Sequence, residues 1–304
     1  MKHLLAAADL SKEQIQQLLG AAKAFSTRPP GPLLKDRTVV NLFFEASTRT
    51  RSSFELATRR LGGGVLNFAA TTSSVQKGET LIDTARNIEA MKADCLVVRH
   101  SSAGSPGVLA RATQVPIVNA GDGFHEHPTQ ALLDAYTIQE RLGSLEGKRV
   151  VILGDIAHSR VARTNICVLK KLGASVSVCG PPTLLPPKPE ALGVDFAYRP
   201  EELLPQADVV MALRIQLERQ NRQQLPSLAE YSRIWGLNRE RAKLLKKGAL
   251  IMHPGPVNRG VELDPEVADA PTSLILDQVA NGVLVRMAVL ATVCNPEGLK
   301  KCLS

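Results

Sequence analysis

Aromatic residues are scarce: seven Phe, three Tyr and one Trp make up 4% of the 304 residues. So few rings argue against a surface that stacks bases, although phosphate contacts alone need none. The five cysteines, Cys95, Cys167, Cys179, Cys294 and Cys302, are odd in number, lack a C-x-x-C pair and show no zinc-like spacing with histidine. Neither a disulfide framework nor a metal centre is therefore expected, and a reducing cytoplasm fits best. No apolar run reaches the roughly 18 residues that a membrane helix needs. The most apolar stretch, Val283 to Val293, carries Arg286, and Asp9 stops the N-terminal Leu4 to Ala8 run, so neither a membrane partner nor a signal peptide is expected. Also missing are G-x-x-x-x-G-K-[ST], G-x-G-x-x-G and G-x-S-x-G, which weighs against a P-loop, a dinucleotide-binding dehydrogenase and a serine hydrolase.

What is present is ordinary globular composition, with 44% hydrophobic and 22% charged residues, in a chain long enough for two domains. The net charge of +8 suits nucleic acid, a membrane surface or an anionic small molecule. Nucleic acid would require a basic stripe and steeply salt-dependent binding.

Apolar runs alternate with helical patterns along the chain. Ser11-Lys12-Glu13-Gln14 has capping-box spacing and opens an amphipathic helix. Strands are then predicted at Thr38 to Phe44, Val65 to Phe68, Cys95 to Arg99 and Pro116 to Val118, with helices at Arg51 to Leu61, Thr80 to Met91, Gly107 to Thr113 and Pro128 to Leu142. After Gly143 the alternation restarts with strands at Arg149 to Leu153, Ser175 to Cys179, Asp208 to Leu213 and Ala249 to Met252. This order predicts an α/β protein of two doubly wound parallel-sheet domains, with the active site in the cleft between them. The domains are expected at residues 1–143 and 144–278, with a C-terminal helix over about 279–304 packing back on the first. The proline-rich Gly180 to Pro189 stretch lies inside the second alternation and reads as a rigid loop, not a linker.

Ligands of open parallel sheets bind beyond the carboxyl ends of the strands, and here those ends carry arginine repeatedly: Arg49 and Arg51, Arg99, Arg160, and Arg214. Any one of them reads as a solvated surface charge. Together they imply a ligand with several negative charges, since clustered guanidinium forks repel one another until an anion arrives. Ser47 to Arg51 combines hydroxyls with the free N–H groups of a helix start, which makes either a phosphate cradle or a simple helix cap. His127 and Gln130 flank Pro128 at another helix start, and the prolines of His253-Pro254-Gly255-Pro256 lock a turn whose carbonyls have no helical partner.

These residues resemble the aspartate/ornithine carbamoyltransferases over essentially the whole chain. Phe44-Glu45-Ala46-Ser47-Thr48-Arg49-Thr50 matches that family's carbamoyl-phosphate signature, and His127-Pro128-Thr129-Gln130 matches its H-P-x-Q element. Both are common to the two branches. Three segments are similar to the catalytic chains of the aspartate branch: Ser73 to Thr80 with Lys77, Arg214 to Arg219, and His253 to Pro256. The S-M-G and H-C-L-P elements typical of the ornithine branch are missing. Gly255 stands where some relatives carry a bulkier residue, a departure of little weight if the contact there is a backbone carbonyl.

The resemblance implies carbamoyl transfer from carbamoyl phosphate to L-aspartate in pyrimidine biosynthesis, without cofactor or metal. An ornithine or another amino-acid carbamoyltransferase is the alternative. It implies that Ser47, Thr48, Arg49 and Thr50 hold the phosphate, that Thr50, Arg99 and His127 donate to the carbamoyl oxygen, and that Gln130 with the Pro254–Pro256 turn orients the carbamoyl NH2. Lys77, Arg160, Arg214 and Gln216 would receive aspartate, and Glu45 would bridge to Arg160 and Arg219 when ligands bind. Ser73 and Lys77 would come from the neighbouring subunit of a homotrimer, to which a regulatory chain or a dihydroorotase-like partner can be added.

Overall fold

The computed structural model describes residues 1–69, 79–215 and 227–303. The chain divides into two compact units, Met1–Tyr136 with Val279–Ser304, and Thr137–Gln278. One division falls between Tyr136 and Thr137, ahead of the Gly143 turn at which the alternation restarts.

In the first unit, α1 (Lys12–Thr27) is capped by Ser11, whose side chain accepts from Gln14 N while Gln14 returns the bond, a complete capping box. Next come β1 (Thr38–Phe43), α2 (Thr48–Arg60), β2 (Gly64–Ala69), α3 (Leu81–Ala90), β3 (Cys95–His100), α4 (Ser105–Ala112), β4 (Ile117–Asp122) and α5 (Pro128–Leu142). The strands pair in parallel in the order β2-β1-β3-β4. β1 and β3 are nearly continuous apolar runs because both of their faces are covered, and Val40, Leu42, Leu96 and Val98 pack with Leu109 and Ile117. The N-terminal segment lies along β4, with Leu4 N donating to Ile117 O at 2.9 Å and Leu4 O accepting from Asn119 N at 2.8 Å.

The second unit contains β5 (Arg149–Leu153), α6 (Arg160–Lys171), β6 (Ser175–Cys179), β7 (Asp195–Ala197), β8 (Val209–Ala212), α7 (Leu228–Trp235), α8 (Arg239–Ala242), β9 (Leu250–Met252) and α9 (Pro265–Ala268). Its sheet is also parallel, in the order β7-β6-β5-β8-β9. Val151, Leu153, Val210 and Ile251 meet Leu204, Leu237 and Leu263 in its core. The proline-rich loop after β6 forms short 3-10 turns at Pro182–Leu184 and Pro189–Leu192.

Helix α10 (Ile275–Cys294) is long and apolar enough by length and composition to cross a membrane, although Asp277 and Arg286 interrupt its apolar run as the sequence shows. Most of its length is buried in protein instead, with Val285, Ala288, Val289, Leu290 and Ala291 fully covered. α11 (Pro296–Leu303) follows, and Asn295 Nδ2 between the two helices donates to Leu33 O at 2.8 Å.

Candidate active site

Each sheet reverses its winding direction once, and a crevice opens at the carboxyl ends of the strands on either side of that point. In the first unit the reversal lies between β1 and β3, where Phe43 registers with Arg99. The chain beyond Phe43 enters α2, which starts at Thr48, earlier than the expected Arg51. Thr48, Arg49 and Thr50 therefore form its first turn, and the amide N–H groups of that turn have no carbonyl acceptor within the helix. Ser47 stands at the cap position with extended backbone, yet its side chain makes no capping hydrogen bond. The simple-cap alternative is thus not what the structure has. Arg49 is exposed, whereas Thr50 is buried.

Arg99 is half-buried beside this turn. Its Nη1 donates to Ala120 O at 3.2 Å, and its Nε lies 3.5 Å from Glu45 Oε2. Behind it, His100 Nδ1 accepts from Ser102 N at 2.9 Å, and its ring lies 5.2 Å from that of Phe44. Burial lowers the His100 pKa against the pull of Glu45 and Asp122, so the ring is neutral at pH 7 and serves as scaffold. The β4 end turns sharply at Gly123, where φ is +49° and a Cβ would sit 2.8 Å from Ser101 O. This turn leads to His127 and Gln130 at the start of α5, both buried, and Gln130 Nε2 donates to Asp134 Oδ1 at 2.9 Å.

In the second unit the reversal lies between β5 and β8, where Leu153 registers with Ala212. Arg214 follows β8, and Arg160 is the first residue of α6. Ser159 caps α6 by accepting from Ala162 N at 3.1 Å, and Arg160 is buried. The Pro254–Pro256 turn follows β9 and holds a cis Gly255–Pro256 bond. It is fixed from beneath by His253, whose Nδ1 accepts from Gly255 N at 2.7 Å, which leaves Nε2 to donate to Glu262 Oε1 at 3.1 Å. His253 and Glu262 are fully buried, and Glu262 Oε1 also accepts from Asn258 N. His253 is therefore structural, a role its sequence position left open.

Ser73, Lys77 and Gln216 lie outside the described residues, as does Arg219. Among the described residues no group of His, Cys, Asp and Glu is arranged to hold a metal ion. A cavity of about 300 Å³ beside the start of β9, lined by Arg239, Leu245, Lys246, Ile251 and Glu266, contains none of the candidate residues. Sequence reasoning missed the side chains that hold others in place: Asp134, Ser53, Arg286 and Glu262. The one available signal was Arg286 itself, a charge in the most apolar stretch.

Residues 2–140 match the aspartate/ornithine carbamoyltransferase carbamoyl-P binding domain, and residues 146–293 match the Asp/Orn binding domain of the same group. The aspartate carbamoyltransferase catalytic subunit of Myxococcus xanthus is 54% identical over 294 residues, 95% of this chain and 98% of that protein. Aspartate transcarbamoylase of Trypanosoma cruzi, solved with carbamoyl phosphate and aspartate, superposes with a TM-score of 0.86 at 33% identity, covering 96% of each chain. Ornithine carbamoyltransferase of Pyrococcus furiosus superposes equally well, with a TM-score of 0.85 at 31% identity over 96% of this chain and 97% of that one. Backbone shape alone does not separate the two acceptors.

Proposed function

The chain belongs to the aspartate/ornithine carbamoyltransferase family, on the aspartate branch, and we propose that its two units divide one reaction by charge. The carbamoyl group of carbamoyl phosphate passes to the amine of L-aspartate, giving N-carbamoyl-L-aspartate and phosphate in pyrimidine biosynthesis. The first unit handles the donor. Ser47, Thr48, Arg49 and Thr50 take the phosphate, while Thr50, Arg99 and His127 donate to the carbamoyl oxygen as it gains charge in the tetrahedral intermediate. Gln130 and the carbonyls of the Pro254–Pro256 turn suit the carbamoyl NH2.

The second unit handles the acceptor. Arg160 suits the α-carboxylate of aspartate, and Arg214 with Gln216 the β-carboxylate, since bidentate guanidinium pairing selects planar anions. As the amine nitrogen bonds to the carbamoyl carbon, the C–O bond to phosphate breaks and the departing phosphate takes the amine proton. No protein base is needed. The acceleration comes from orientation and from donors already in place before charge develops.

The observation that supports this reading is the Phe43 and Arg99 register at the β1/β3 reversal, which pairs the strand leading to the hydroxyl-rich first turn of α2 with the strand that ends in a half-buried guanidinium. The test is a carbamoyl-transfer assay with aspartate and ornithine side by side. Aspartate should be preferred by at least about 10⁴-fold, as expected when a site built for a carboxylate meets an amine instead. Equal use of ornithine overturns the reading.

The active assembly in this reading is a cytoplasmic homotrimer in which Ser73 and Lys77 serve a neighbour's site, with or without a regulatory chain or dihydroorotase-like partner. Hybrids reassembled from Lys77→Ala and Arg49→Ala chains should regain activity, because some sites then receive both intact halves. Verified hybrids without activity would show that each subunit completes its own site.

A further inference from the structure

We propose that Arg286 is a positioning residue that ties the phosphate-holding turn of α2 to the carbamoyl-holding start of α5. The inference rests on the functional reading above.

Stability does not explain an arginine in α10. The residue is 4% exposed amid Val285, Met287, Val289 and Leu290. Moving a cation out of water costs several kcal/mol, and a well-packed apolar side chain of similar volume commonly does as well or better. What the guanidinium reaches is more informative. Nη1 donates to Ser53 Oγ at 2.9 Å and to Gly282 O at 3.1 Å, and Cζ lies 5.2 Å from the centre of the Phe54 ring. Ser53 is four residues beyond Arg49, one turn along the same face of α2. Fixing Ser53 therefore fixes the rotation of the helix that presents Arg49.

The other anchor is Asp134, which is fully buried on α5. It accepts from Gln130 Nε2, again one turn away on the same helix face, and so sets which way the Gln130 amide points. Around Arg286, α10 packs on α5 beside this carboxylate: Gly282, whose carbonyl takes Arg286 Nη1, is so close to the residue before Asp134 that a Cβ there would lie 3.2 Å from Leu133 Cδ2, and the Asp134 charge acts on the guanidinium. Ser53 and Asp134 thus each stand one turn behind a candidate ligand residue, and a single guanidinium bonds to the first and lies in the field of the second. Burial lowers the Arg286 pKa to about 10, Asp134 opposes that shift and Arg49 adds to it, so Arg286 remains protonated at pH 7. A phosphate dianion arriving at Arg49 would offset the repulsion between the two arginines, which links donor binding to the anchor.

A residue that only supports the core and one that positions ligands differ in which constants they move. The probes are inorganic phosphate binding, followed by calorimetry, and the KM values for carbamoyl phosphate and aspartate, each beside a thermal melt. Ser53→Ala removes one acceptor and no charge. It should weaken inorganic phosphate and raise the carbamoyl phosphate KM about fivefold, with the aspartate KM and melting temperature unchanged. Arg286→Met should lower kcat/KM for carbamoyl phosphate by at least about thirtyfold, with Arg286→Lys recovering part of it. Should Arg286→Met fail to fold, the Asp134→Asn/Arg286→Met pair avoids stranding a buried carboxylate, and it should fold while phosphate binding stays weak. Unchanged phosphate binding in Ser53→Ala, or full recovery of phosphate binding in the folded double variant, would overturn the proposal. Because phosphate binding is read without turnover, it stands apart from the aspartate assay on which the functional reading depends.

Discussion

Arg99 is held from two sides, by Glu45 Oε2 at 3.5 Å from its Nε and by Ala120 O at 3.2 Å from its Nη1. The carboxylate has two opposed effects on an anion site: it aims the guanidinium, and it cancels part of its charge. Both side chains are well covered, 13% and 16% exposed, so the aim is worth more than the charge lost. Glu45→Ala should therefore lower kcat/KM for carbamoyl phosphate about tenfold, near 1.4 kcal/mol. Tighter phosphate binding with unchanged turnover would show that the charge term dominates.

Arg49→Ala should lose at least a hundredfold in kcat, about 3 kcal/mol, because in the proposed site its guanidinium would neutralise the leaving phosphate where charge develops. An exposed arginine adds little to stability, so the melting temperature should move by no more than about 2 °C. Turnover within threefold of the parent would remove Arg49 from the site.

Arg214→Ala should raise the aspartate KM about thirtyfold, the scale of a lost charge-assisted pair, while inorganic phosphate binds as before. Isothermal titration with phosphate and steady-state kinetics with aspartate separate the two. Equal weakening of both ligands would mean that the units do not divide the substrates as described.

His253→Ala removes one of the two donors to Glu262 Oε1, leaving only Asn258 N, and takes the acceptor from the Gly255 N–H. A loss of about 2 kcal/mol is expected, or about 4–8 °C in melting temperature. His253→Asn should fall less, because an amide oxygen can still accept from Gly255. Identical melts for the two variants would show that the Gly255 contact carries no stability.

The strands were legible because parallel strands covered on both faces read as unbroken apolar runs, as Leu96-Val97-Val98 and Val150 to Leu153 do. β7 was not, since among the described residues it pairs only with β6, and of its three residues only Ala197 is buried. α7 carries a readable start signal: Ser227 and Glu230 have capping spacing, and Ser227 Oγ accepts from Glu230 N at 3.0 Å. Arginines at strand ends could be read because their place follows from the sheet alone. The Arg286 anchor could not, because 233 positions separate it from Ser53 and only the folded chain brings them together. The paired roles of His253 and Glu262 were hidden for the same reason.

The first unit is discontinuous in the chain, since Val279–Ser304 belongs with Met1–Tyr136. On a ribosome the N-terminal stretch emerges first, yet Arg286 and the apolar face of α10 are still inside the exit tunnel long after α2 and α5 are free. The half that is translated earliest is thus finished latest. Until α10 emerges, the nascent chain has the α2 and α5 loops but not the guanidinium that stands behind them.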